Sequence, residues 1–172
     1  MRKYIIVLLL IPVFLLTSCS LRIFNRLKYL DSDEIADQTF GKLINAIKEN
    51  DVAGIVSMFS QNVQNESDLQ DDAQKLIDFI KGEITSYSSA REASVSSSLI
   101  KDKGKAKETI NASITVLTDE NVYYIGIIEC VFNEFDAYDV GIFGLSIIEA
   151  STWNRDAVYR QNKNISGITI DE

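Results

Sequence analysis

The sequence predicts an α+β domain, with helices first and a run of antiparallel strands after them, from three observations. Apolar residues recur at the helical 3.6 period between 34 and 80, and the period changes to two from 83 onward. A turn-like Lys101-Asp-Lys-Gly-Lys105 then separates two of the alternating segments. Helices that precede a block of strands are expected on one face of the resulting sheet.

The first helix is expected to start at Asp31-Ser-Asp-Glu34 and to bury Ala36, Phe40, Leu43, Ile44 and Ile47. Asp51 is suited to cap a short second helix with Val52, Ile55, Val56 and Phe59 on one face. Ser67-Asp-Leu-Gln70 matches a capping box opening a third helix through Leu69, Ala73, Leu76, Ile77 and Ile80, with Gly82 as its expected left-handed end. Strands are expected over 83–88, 92–100, 106–118, 122–132 and 140–150, with one late strand over 165–170. In 106–118, Ile110, Ala112, Ile114 and Val116 face one way, and Lys107, Thr109, Asn111, Ser113 and Thr115 the other. Segments 122–132 and 140–150 are apolar on both faces, the pattern of central strands covered on both sides.

The chain opens with Arg2 and Lys3, followed by an apolar run over 4–16. That run is shorter than the roughly 20 residues of a membrane span and falls in the window of about 7–15 residues of a signal-peptide core. It stops at Leu16-Thr17-Ser18-Cys19, which resembles the lipobox of bacterial lipoproteins. The resemblance implies cleavage before Cys19 and acylation of its thiol, so that residues 1–18 are the signal peptide and the protein is lipid-anchored at the extracytoplasmic face of the cell membrane. An ordinary secretory signal that happens to end in a cysteine is the alternative. Residues 19–30 follow as a basic tether. Ile23, Leu27 and Leu30 at helical spacing with Arg22, Arg26 and Lys28 suit either an anionic membrane surface or packing on the domain. The domain itself is expected over 31–151, with a polar tail over 152–172.

Residues 31–172 hold twelve Lys or Arg against twenty-five Asp or Glu, a net of −13. Phosphate backbones are bound by cationic side chains, so nucleic acid is not an expected partner. With Cys19 acylated, Cys130 has no intrachain partner and, within the apolar YYIGIIECVF, reads as a buried small hydrophobe.

The segments FSQNVQNESDLQDDAQKLIDFIKGEITSY, KGKAKETINASITVLTDENVYYIGIIE and DVGIFGLSII resemble a family of small bacterial lipoproteins classed as a domain of unknown function. That family is similar to nuclear-transport-factor-2-like (cystatin-like) domains, and the resemblance spans roughly 33–150. It implies a curved, cone-shaped antiparallel sheet wrapped around three N-terminal helices, usually with a pocket inside. Relatives of that fold include isomerases, dehydratases and binding or dimerising modules, so the fold does not select a function.

The chain has no histidine, which removes the commonest general base and metal ligand. No phosphate loop or nucleophile elbow is present, and no cofactor or metal is expected. Catalysis would fall to carboxylates. Glu129 shares a face with Ile125 and Ile127, and Glu149 with Leu145 and Ile147; a desolvated glutamate there could act as a base, whereas a solvated one would not. Tyr87, Tyr123 and Tyr124 are candidates for a ligand pocket, with packing in the core as the other reading. Glu134, Asp136 and Asp139 are a weak calcium-type group, and Lys101, Lys103, Lys105 and Lys107 mark a solvated hairpin tip.

These features suit a non-catalytic module, anchored to membrane lipid through acylated Cys19, that binds a small apolar ligand or an envelope protein. The alternatives are a pocket enzyme using Glu129 or Glu149, and a structural or inhibitory subunit of an envelope complex, including a homodimer through the sheet.

Overall fold

The structure, a computed structural model, describes residues 31–65, 68–152 and 166–171. Every element below belongs to one compact unit within 32–172. The expectations for the signal peptide, Cys19 and the basic tether fall outside the described residues.

The first helix, α1 (Ser32–Lys48), turns Ala36, Phe40, Leu43, Ile44 and Ile47 inward at the predicted spacing. Helix α2 (Val52–Ser57) begins at Asp51, whose carboxylate accepts the Gly54 N–H at 2.8 Å. A one-turn helix, α3 (Gln61–Gln64), was not anticipated. Helix α4 (Leu69–Phe79) buries Leu69, Ala73, Leu76 and Ile77. Its N-cap is Asp68, which makes no side-chain cap bond, while Ser67 of the expected capping box lies outside the described residues. The helix ends in extended Ile80, so left-handed Gly82 (φ 80°) belongs to the following turn rather than to the cap.

The strands are β1 (Ile84–Tyr87), β2 (Ser94–Asp102), β3 (Lys105–Thr118), β4 (Val122–Asn133), β5 (Gly141–Glu149) and β6 (Gly167–Asp171). They fall within two residues of the expected bounds, because alternation marks β3 and continuous apolar runs bounded by polar turns mark β4 and β5. The β2–β3 loop is Lys103-Gly104, with φ of 46° and 81°. Both values are positive, as a type I′ hairpin requires to match strand twist. Between β1 and β2 lies a further turn of helix, α5 (Ala90–Ala93). Here Ser89 and Glu92 form the reciprocal capping box, at 3.3 and 3.2 Å, so helices are not confined to the stretch before the sheet.

The sheet runs β1–β3–β4–β5–β6. Strand β3 is long enough to carry β2 along 105–113 and β1 along 116–118 on one edge, both antiparallel. Strand β6 pairs with β5 in parallel, so the sheet is mixed rather than purely antiparallel. A parallel neighbour needs a crossover connection instead of a hairpin, which is why alternation alone did not reveal its direction. The registers shift near Glu108/Thr109 and Ile128/Glu129, the signature of bulges that bend strands locally.

One face of the sheet, carrying Ile110, Ile114, Val116, Ile125, Ile127 and Leu145, is buried in one cluster with Phe40, Leu43, Ile44 and Leu76 of the helices. Isolated pairing of Phe59 with Ile142 ties the segment after α2 to the start of β5, through Ser60 N–H to Ile142 O (2.9 Å) and Ile142 N–H to Met58 O (3.0 Å). Gly141 (φ 123°) permits this approach: a Cβ there would lie 2.8 Å from Ser60 N and 3.0 Å from the Phe59 carbonyl carbon. The opposite face was expected to be covered at β4, yet Val122 and Tyr124 are more than one-third exposed there.

Candidate functional site

Adjacent residues of a strand point to opposite faces, and this separates the tyrosines. Tyr123 faces the helices and is fully buried. Its hydroxyl accepts the Lys81 N–H (2.9 Å) and an Asn121 side-chain N–H (3.2 Å) and points its own proton at the Phe79 carbonyl (3.5 Å). Its ring meets Phe79 edge-on at 5.7 Å between centroids. Those contacts make it a core residue that joins β4 to the end of α4, not a ligand contact. Tyr87 pairs with Val116 on β3, and a methyl added at Gly41 on α1 would come 3.8 Å from its hydroxyl. Tyr124 points the other way, paired with Thr115.

Tyr124 borders a cavity of about 580 Å³ on the sheet face opposite the α1–α4 core, with Ala93 of α5 at its border; Tyr87 and Tyr123 do not line it. Ser94, Ser96, Asn111, Ser113, Thr115 and Ser146 contribute hydroxyl or amide groups to its walls. Paired positions of neighbouring strands share a face, and the register sets Ser94 beside Ser113, Ser96 beside Asn111, Thr115 beside Tyr124 and Gly126 beside Ser146. Tyr124 and Ile148 supply apolar surface. Gly126 leaves room: a Cβ there would lie 3.0 Å from Ser146 Oγ. Among the described residues, no charged side chain lines this cavity. The alternating pattern of 106–118 already placed Asn111, Ser113 and Thr115 on one polar face. The serines of β2 and β5 gave no signal of their own, because a run such as Ser96-Ser-Ser98 has no apolar periodicity.

Neither glutamate lines this cavity, and the two are far from each other: Glu149 follows the wall residue Ile148 but shares the face of Tyr123. Glu129 faces the helix layer, where the Thr39 hydroxyl donates to its Oε2 at 2.8 Å. Burial pushes its carboxyl above the ordinary range, opposed by the Thr39 hydrogen bond and the charge of Lys42. Glu149 pairs with Tyr123 at the other end of β4–β5 and accepts from the Ser151 hydroxyl at 2.6 Å. Six residues of strand, about 20 Å at the usual rise, separate Glu129 from the partner of Glu149, so they cannot act as a catalytic pair. Glu108 is a third acid that sequence reasoning passed over. It shares the inward parity of Ile110 and is 8% exposed, and burial raises its pKa.

The loop acids are committed to structure. Asp139 accepts from Asn62 (2.7 Å), Asn133 (3.0 Å) and Lys107 (3.1 Å). Burial works to raise its pKa, but these bonds and the Lys107 charge prevail and hold it below the ordinary value. Glu134 accepts the Ala106 N–H at 2.7 Å, and Asp136 the Tyr138 N–H at 3.0 Å. Among the described residues, no three metal-binding side chains converge. Lys107 also lies 4.8 Å from the Phe143 ring centre, and Lys105 lies 5.9 Å from that of Phe135, so part of the hairpin-tip charge is held over aromatic faces. Cys130 is buried and free, with its thiol pushed up by burial and directed at the Phe132 carbonyl at 3.4 Å. No helix among the described residues is long and apolar enough to cross a membrane.

A family model for a domain of unknown function, DUF5104, matches residues 42–150. The chain belongs to the DUF5104 family. The match takes in every described residue that lines the cavity and leaves out the first ten residues of α1 and all of β6. No curated protein matches the chain.

Proposed function

We propose that this DUF5104 protein is a lipoprotein anchored through acylated Cys19 at the extracytoplasmic face of the membrane, and that its domain is a non-catalytic binding module of nuclear-transport-factor-2-like type. The binding site in this reading is the cavity on the sheet face opposite the core, with Ala93 of α5 at its border. The observation that carries it is a small-molecule-sized recess of about 580 Å³ whose walls hold no carboxylate, amine or thiol among the described residues. Such walls can orient a ligand by hydrogen bonds, and among the described residues Tyr124 is the one acid–base type of side chain on them. The polar walls also move the expected ligand away from a wholly apolar one.

A protein partner, or a second copy of the chain, is the other reading. It is favoured by exposed Leu117, Val122 and Tyr124, which are 41%, 37% and 38% accessible on neighbouring positions beside the cavity. Native mass spectrometry of protein extracted from its own membrane separates the two. A bound mass below about 1 kDa on a monomer supports the ligand reading, and a dimer or hetero-complex supports the partner reading. Repeated recovery of a bare monomer overturns both. Intact mass also checks the anchor: a chain that still carries residues 1–18, or an unmodified Cys19, removes the proposed location.

A further inference from the structure

We propose that the cavity takes a neutral saccharide, which rests on the reading of that cavity as the binding site. Its polar walls are Ser, Thr and Asn, each able both to donate and to accept a hydrogen bond. A sugar hydroxyl has the same dual character. An anionic ligand would instead need a fixed cation and an amine a fixed carboxylate, because burying an unpaired charge is strongly unfavourable.

The missing charge is unusual for its surroundings. Charged residues make up 24% of the chain, and the sheet face opposite the core is where they are expected to keep the strand surface wetted. On this face Asp102, Lys105 and Lys107 stand towards the hairpin tip and Asp171 of β6 is paired with Ile148 at the cavity's edge, while the described residues that line the cavity are uncharged. Among the described residues, the charges of this face stand around the recess and none lines it.

Shape and apolar surface complete the fit. Tyr124 stands at the cavity wall with its side chain partly exposed, and Ile148 is buried beside the recess. A pyranose presents one face of C–H groups that packs on an aromatic ring while its equatorial hydroxyls reach outward. Gly126 keeps space open next to Ser146. The volume lies within the roughly 300–1,000 Å³ usual for small-molecule sites, enough for more than one sugar ring.

The test is amide chemical-shift mapping of the full-length protein in a sugar-free zwitterionic detergent, titrated with cellobiose, maltose and N,N′-diacetylchitobiose. Glucuronate, glucosamine and decanoate serve as charged and apolar controls. At least one neutral disaccharide is expected to saturate below about 10 mM, with shifts centred on Ser96, Asn111, Gly126 and Ser146. Tyr124→Ala should weaken it tenfold or more and Asn111→Ala several-fold, with the unfolding midpoint unchanged; both residues are exposed enough for truncation to spare the core. Retention on the immobilised polymer of the same sugar would identify an envelope glycan as the source, and binding of the disaccharide alone a free oligosaccharide; either supports the proposal. Shifts of the same amides by decanoate or by self-association, but by no sugar, overturn the saccharide and leave the binding module standing. Stronger binding of a charged sugar likewise overturns it. Silence of these amides towards every probe, in a monomer, removes both.

Discussion

Replacing Tyr123 by Phe tests whether this tyrosine is a structural pin or a ligand contact. The substitution keeps the ring, its burial and its edge-on contact with Phe79, and deletes only the hydroxyl. Lys81 N–H then loses its acceptor at 2.9 Å and the Phe79 carbonyl a weaker donor at 3.5 Å. A net hydrogen bond is worth about 0.5–1.5 kcal/mol, and a buried group left without a partner costs about 1–3 kcal/mol. Lys81 itself is exposed, so water can reach part of the vacated site. The loss is therefore placed at about 1–2 kcal/mol. In a domain of this size each kcal/mol moves Tm by roughly 2–4 °C, giving an expected fall of about 2–8 °C. Urea titration of wild type and variant should show a lower midpoint with an unchanged slope, and ligand binding should be unaffected. An unchanged midpoint together with weakened ligand binding would refute the argument and restore Tyr123 as a pocket residue.

Three further outcomes are expected. Gly141→Ala forces a left-handed φ on alanine and drives its methyl to 2.8 Å from Ser60 N, against backbone that cannot rotate away; a loss above about 2 kcal/mol is expected by urea titration, and a loss under 0.5 kcal/mol would mean that Phe59 does not sit against Ile142. For Glu129, whose folded pKa is raised by burial, the native state holds the proton more tightly than the unfolded chain, so the group erodes stability as pH rises from the unfolded value through the folded one. Glu129→Gln should remove that decline and equal or exceed wild type at pH 7 in thermal melts; a clear loss at pH 7 with an unchanged pH profile would show that the carboxylate is needed as a charge. Asp139 has the opposite sign: its folded pKa is lowered, so its contribution is present above the unfolded value and disappears as pH falls through the folded one. Asp139→Asn should flatten that acid limb and free Lys107, visible as sharper Lys107 Nζ exchange by NMR; an unaltered limb would place the acid sensitivity elsewhere.

The amino-acid order alone determined the periods, and periods define elements. Phe40, Leu43, Ile44 and Ile47 could form one buried stripe only on a helix, and alternation over 106–118 could serve only a strand with one wet face. Lys103-Gly104 fixed the hairpin because a two-residue turn needs positive φ, which glycine adopts freely. Even the unanticipated turn α5 was marked by Ser89-Ala-Arg-Glu92, a capping box as clear as the one read at Ser67.

What the order of residues could not determine was which side of a doubly apolar strand meets the helices. Tyr123 and Tyr124 are the same side chain one residue apart, and only pairing with β3 and β5 under α4 puts the first in the core and the second at a cavity. The direction of β6 and the convergence of serines from β2, β3 and β5 with Asn111 also arise only when strands distant in sequence lie side by side. Local pattern reports how each segment divides its faces between water and protein; long-range packing decides which neighbours those faces meet, and a binding site is made of neighbours.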